Sequence, residues 1–164
     1  MDINFDRYDA RPGGSNQLRG ESNRLLPTGA ANPFQVRERI GELLARFPKT
    51  KFIAHFHDTR GNGILNSFTA LELGLEFVDT STGAIGGQPQ PKSESKKYQA
   101  GFTGNTCTED LAALLAELGV ETGLDMEKVV ANGRRAEEVV GYPLRSNVIR
   151  SGPVNHRPKA FAAG

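Results

Sequence analysis

His55 and His57, in Lys51-Phe52-Ile53-Ala54-His55-Phe56-His57-Asp58-Thr59, are the residues of this chain best suited to chemistry. The alternating apolar residues before them predict a strand, and residues i and i+2 of a strand share a face. Two imidazoles held side by side can bind one divalent cation. On the other reading they are ordinary polar side chains at a strand end, each bonded to a carbonyl or to water. Asp58, next to the pair, either orients an imidazole from behind or caps the loop that follows. Arg60-Gly61-Asn62-Gly63 then turns the chain into a helical pattern. The polar groups therefore stand at the C-terminal end of a strand, where α/β folds place their chemistry.

Other candidates are weaker. Thr82-Gly83-Ala84-Ile85-Gly86-Gly87-Gln88-Pro89 is a Gly-rich loop after a strand, able to admit a ligand close to the backbone. It has neither the Walker lysine spacing nor a full dinucleotide fingerprint, so simple turn geometry reads it equally well. Residues 88–103 form a long polar loop with Lys92, Lys96 and Lys97, which either meet a phosphate-bearing substrate or are solvated charge. Cys107 is expected to pack as a small apolar group, and His156, without a companion, to face solvent.

The elements that must position these residues follow from periodicity. Residues 1–28 are polar, contain Arg11-Pro12-Gly13-Gly14-Ser15-Asn16 and lack either period, so they read as linker-like or disordered. Asn32-Pro33 opens a helix, with Val36, Ile40, Leu43, Leu44 and Phe47 on one face and Pro48 as the stop. The His-x-His strand comes next, then a helix over 64–73 facing inward through Ile64, Phe68, Leu71 and Leu75. A short buried strand is expected over 75–81. Thr106 and Glu109 have capping-box spacing and open a helix with Leu111, Leu114, Leu115 and Leu118 as its stripe. A last helix runs from Asp125 to Val140, with Leu124 and Val129 spaced as a hydrophobic staple, and the tail after Gly141 reads as irregular. Such alternation implies parallel strands joined by crossover helices.

Composition bounds the function. The chain has 164 residues and a formal net charge of +1, which gives no reason to expect nucleic acid or an acidic membrane as partner. The single cysteine excludes an intramolecular disulfide and fits a reducing compartment. No apolar run approaches the roughly 20 residues that span a bilayer, and no apolar leader follows Met1, so a cytoplasmic location is expected.

Four motifs in order, His55-Phe-His57-Asp58-Thr59-x-Gly61, Phe77-Val78-Asp79-Thr80-Ser81, Gly86-Gly87-x-Pro89 and Gly104-Asn105-x-x-Thr108-Glu109-Asp110, carry a resemblance. From about residue 29 to 150 the chain resembles the C-terminal half of a hydroxymethylglutaryl-CoA lyase, within the DRE-TIM metallolyases. The resemblance implies an α/β fold, part of a TIM (β/α)8 barrel, with residues 151–164 as an irregular tail. It also implies a divalent cation, Mg²⁺ or Mn²⁺, on His55, His57 and Asn105. His55 and Asp58 would be catalytic, and Gly87, Gln88 and Asn105 would bind substrate. The implied reaction is retro-Claisen cleavage of a 3-hydroxyacyl-CoA to acetyl-CoA and a keto acid. A Claisen-type synthase, a 2-oxo acid aldolase, or a non-catalytic remnant serving as an interaction module are the alternatives.

The chain departs from the family pattern in three places. It contains no Arg-Asp-Gly motif, whose aspartate is the family's remaining metal ligand. Leu26 replaces the aspartate expected before the Asn-Pro helix, and Gln88 stands where the lyases carry a cysteine. A complete barrel takes roughly 250 residues. The expectation is therefore a truncated barrel that forms a homo-oligomer or pairs with a separate N-terminal half.

Overall fold

The structure, a computed structural model, describes residues 16–17, 29, 31–87 and 104–154. They fall into two compact units, one of residues 1–80 and 86–106, the other of 81–85 and 107–164.

The first unit is built on a three-stranded parallel sheet in the order β1 (Asn16–Gln17), β2 (Phe52–His55), β3 (Phe77–Asp79). Helix α1 (Pro33–Arg46) starts where the sequence places it. The Asn32 side chain accepts from the Gln35 amide at 3.1 Å, and the Gln35 side chain accepts from the Asn32 amide at 3.1 Å. Its C-terminus closes with the Phe47 amide on the Leu43 carbonyl, just before Pro48. The predicted face is the buried one: Val36, Ile40 and Leu43 pack with Phe52, Ala54, Ala70 and Leu75. Each large aliphatic or aromatic side chain so buried contributes about 1.5–3 kcal/mol. Period two in β2 sends Phe52 and Ala54 inward and leaves His55 on the other face.

Helix α2 (Gly63–Glu72) connects β2 to β3 and corrects the expected inward face. Its buried residues are Gly63, Asn66, Ser67, Thr69 and Ala70, while Ile64, Phe68 and Leu71 are only half-buried. The polar side chains are bonded in part: Asn66 Nδ2 donates to the Ala31 carbonyl at 2.9 Å and Thr69 Oγ1 to that of Leu65 at 2.8 Å, while Asn66 Oδ1 is buried without a partner among the described residues. Strand β3 is not the buried strand expected, since Phe77 is 46% exposed and lies under the Lys51 ammonium. The strand at Asn16–Gln17 was not foreseen either. It pairs with Phe52 and Ile53, giving the backbone groups on that edge of β2 a partner.

The second unit holds a 3-10 turn (Thr82–Ala84), α3 (Thr108–Glu117), α4 (Met126–Val140) and α5 (Asn147–Ser151). Asp125 caps α4 as expected, accepting from the Glu127 and Lys128 amides, and Gly141 closes it in the left-handed region at φ 78°. Leu124, however, is 50% exposed and does not act as a staple. The inward side of α3 is Glu109, Asp110, Leu111, Ala112 and Ala113, whereas Leu118 faces out. The capping box is also corrected. Cys107, not Thr106, precedes α3 and makes no side-chain cap bond. The Glu109 carboxylate instead accepts from the Gly83 amide at 2.7 Å and from the Cys107 thiol at 3.0 Å. The segment after Gly141 is not wholly irregular. Ser146 caps α5, and the carboxylate of Asp110 holds the start of that helix.

Candidate active site

His55 closes β2, and the parallel register sets it beside Asp79, the last residue of β3. His55 Nδ1 lies 3.1 Å from Asp79 Oδ2, and a carboxylate can only accept, so the ring donates there. His55 Nε2 lies 3.4 Å from His57 Nε2, with the ring planes 84° apart and the centroids 5.1 Å apart. The two rings are therefore neighbours at the strand end.

Two nitrogens bound to one cation at roughly 2.1 Å each stand about 3–3.4 Å apart for bond angles between about 90° and 110°. The observed separation of 3.4 Å lies at the upper end of that range. Among the described residues no group of three His, Cys, Asp or Glu side chains could hold a metal ion.

Asn105 comes beside His57 through backbone pairing. His57 and Asn105 form an antiparallel bridge, flanked by the Asp58 amide on the Gly104 carbonyl at 2.8 Å and the Thr106 amide on the Phe56 carbonyl at 3.0 Å. Side chains directly opposite in such a bridge lie on the same face. Two buried hydroxyls brace the joint: Thr106 Oγ1 donates to the Phe56 carbonyl at 3.1 Å and stands 3.3 Å from Ser67 Oγ. On its other side Asn105 meets Gly86, where φ is +108° and an added Cβ would lie 2.7 Å from Asn105 Nδ2. Only glycine fits that approach.

Asp58 takes the second of its two sequence readings. Its Oδ1 accepts the Gly63 amide at 2.5 Å, bonding the first turn of α2 to the strand end. Gly87 is exposed beside Gly86, and Gln88, Lys92, Lys96, Lys97 and His156 lie outside the described residues. Cys107 is buried as expected, yet it is more than an apolar filler because its thiol donates to Glu109. Burial first, and that bond second, push its pKa from 9.0 up to about 12.

Asp79 stands within the Phe77–Ser81 motif, where its residue type alone assigns it no role. The signal was available in the topology: with parallel neighbours, an acidic residue ending one strand stands next to a histidine ending the other.

The family profile described as HMGL-like matches residues 27–135. A hydroxymethylglutaryl-CoA lyase of Bacillus subtilis is 41% identical over 118 residues, 72% of this chain and 37% of that protein. An (R)-citramalyl-CoA lyase of Chloroflexus aurantiacus is 35% identical over 127 residues, 77% of this chain and 38% of that protein. The crystal structure of the Bacillus subtilis HMG-CoA lyase superposes with a TM-score of 0.66 at 39% identity, covering 75% of this chain and 39% of that one. An HMG-CoA lyase from Acinetobacter baumannii in complex with coenzyme A and 3-methylmalate superposes at 0.67 and 31% identity, covering 80% and 41%. The chain thus spans about two fifths of the length of these relatives. The fold is an α/β fold with parallel strands, similar to that of the HMG-CoA lyases. No helix among the described residues is long and apolar enough to cross a membrane. The chain belongs to the HMGL-like family.

Proposed function

We propose that this chain carries the metal-binding strand ends of an acyl-CoA lyase site, cleaving the C–C bond of a 3-hydroxyacyl-CoA to acetyl-CoA and a keto acid. The observation that carries the proposal is the convergence of the His55 and His57 Nε2 atoms, 3.4 Å apart, beside Asn105 at the end of a parallel strand. His55, His57 and Asn105 would hold the cation, Mg²⁺ or Mn²⁺. When bound, it supplies Lewis acidity to the substrate's 3-hydroxyl and carbonyl oxygens. Holding a cation between His55 and His57 requires both rings to present unprotonated Nε2 atoms. The bridge to residues 104–106 keeps Asn105 level with His57, and Gly86 lets the backbone approach the amide. Asp58 would serve by fixing the turn into α2 and not by transferring a proton. Gly87 and Gln88, next in the chain, would line the acyl-CoA path.

Two lyase names among the relatives, with differing acyl groups, support the substrate class while leaving the acyl group open. The remaining barrel strands would be supplied by further chain or by a partner, either a second copy or a complementary half. The test is keto acid release from several 3-hydroxyacyl-CoA thioesters by the full chain with Mn²⁺, alone and with a complementary N-terminal barrel segment. Release abolished by His57→Ala supports the reading. Release that is unaffected by chelator and by that substitution refutes it.

A further inference from the structure

We propose that Asp79 is a positioning residue for His55, whose carboxylate fixes the imidazole as the Nδ1–H tautomer and so leaves Nε2 bare toward His57. Its functional consequence rests on the metal reading above, but the tautomer is a property of the metal-free chain.

Register pairs His55 with Asp79, so their side chains leave the sheet on one face whatever their chemistry. The 3.1 Å contact between Nδ1 and Oδ2 follows from that placement. A neutral imidazole carries one N–H, and an ionised carboxylate accepts without donating, so the proton belongs on Nδ1. Nε2 then keeps its lone pair, pointed into the 3.4 Å gap to His57. Asp79 cannot be a ligand to a cation in that gap, because it bonds the ring nitrogen that faces away from it. Its part is to choose which nitrogen is free and to hold the ring's rotation. Partners of this kind behind a metal-bound histidine typically raise metal affinity 10–100-fold. The contact is half-exposed, with side chains 36% and 44% accessible, so its value lies in orientation and not in stability.

The experiment uses the full chain, labelled with ¹⁵N and freed of metal by chelation, at a pH above the imidazole range. Long-range ¹H–¹⁵N correlations of the ring report which nitrogen carries the proton. The expected result is Nδ1–H for His55 in the wild type and a shift toward Nε2–H in Asp79→Ala, with Asp79→Glu restoring the wild-type pattern. Mn²⁺ titration of the same samples should show affinity falling 10–100-fold in Asp79→Ala. An Nε2–H tautomer in the wild type overturns the proposal even if the alanine variant fails to fold, and so does an unchanged tautomer in a folded Asp79→Ala. A wild-type chain with the Nδ1–H tautomer and no Mn²⁺ binding would sink the metal reading while leaving the role of Asp79 intact.

Discussion

Asp110 offers the sharpest test of how the second unit is held together. Its carboxylate is buried on α3 and takes four hydrogen bonds from the start of α5. Oδ1 accepts Ser146 Oγ at 2.7 Å and the Val148 amide at 2.9 Å; Oδ2 accepts the Asn147 amide and Asn147 Nδ2, both at 2.9 Å. Every partner donates, so the site requires two acceptors. Asp110→Asn keeps the shape but turns one acceptor into an NH₂ group, and either orientation of the amide sets it against two donors. Losing two bonds to a charged acceptor, at about 1.5–3 kcal/mol each, is partly offset where the Asn147 groups regain water. The net destabilisation should be about 2–4 kcal/mol, close to that of Asp110→Ala. In the alanine variant the Ser146 hydroxyl, 2% exposed, loses its acceptor. Against a typical total of about 5–15 kcal/mol, a loss of this size is measurable. Urea unfolding followed by circular dichroism gives the magnitude, and amide exchange at Val148 and Ile149 gives the location. Asp110→Asn within about 0.5 kcal/mol of wild type would refute the reasoning, since it would mean the four donors do not depend on a carboxylate.

Two further perturbations follow. Gly86→Ala puts a Cβ at 2.7 Å from Asn105 Nδ2 at φ +108°, so it should cost about 1–3 kcal/mol in thermal unfolding. It should also weaken Mn²⁺ binding in calorimetry by displacing Asn105, and an unchanged affinity would detach Asn105 from the metal. Cys107, its pKa raised from 9.0 to about 12, binds its proton more tightly folded than unfolded. Its contribution to stability is therefore complete below about pH 9 and is lost as pH rises toward 12. Cys107→Ala should flatten the alkaline limb of the unfolding curve, and the native thiol should resist iodoacetamide at neutral pH.

What could be read in the sequence was whatever short-range chemistry dictates. Asn32-Pro33 and Asp125 announce helix starts because a cap is a local bond, and both are found where expected. The His-x-His pair could be placed on one face because a strand has period two. Long-range bonds were not legible. Glu109 has capping-box spacing, but a buried carboxylate takes the donors that packing supplies, here Gly83 and Cys107. The inward face of α2 escaped hydropathy because Asn66, Ser67 and Thr69 are bonded to residues far away in the chain or a turn back. Asp79 escaped for a related reason, since its neighbour His55 is 24 residues away and only sheet register brings them together.

The bridge between residues 56–58 and 104–106 has an evolutionary consequence. Gly86 approaches the side chain of Asn105, so the two lie close together although 18 residues separate them in the chain. A connection between two points that the rest of the fold already holds can lengthen at a cost of only about 0.6 kcal/mol per doubling of length. Its length and charge are thereby uncoupled from the spacing of His57 and Asn105. Selection could rewrite that segment, and with it what enters the site, without disturbing the atoms that would hold the cation.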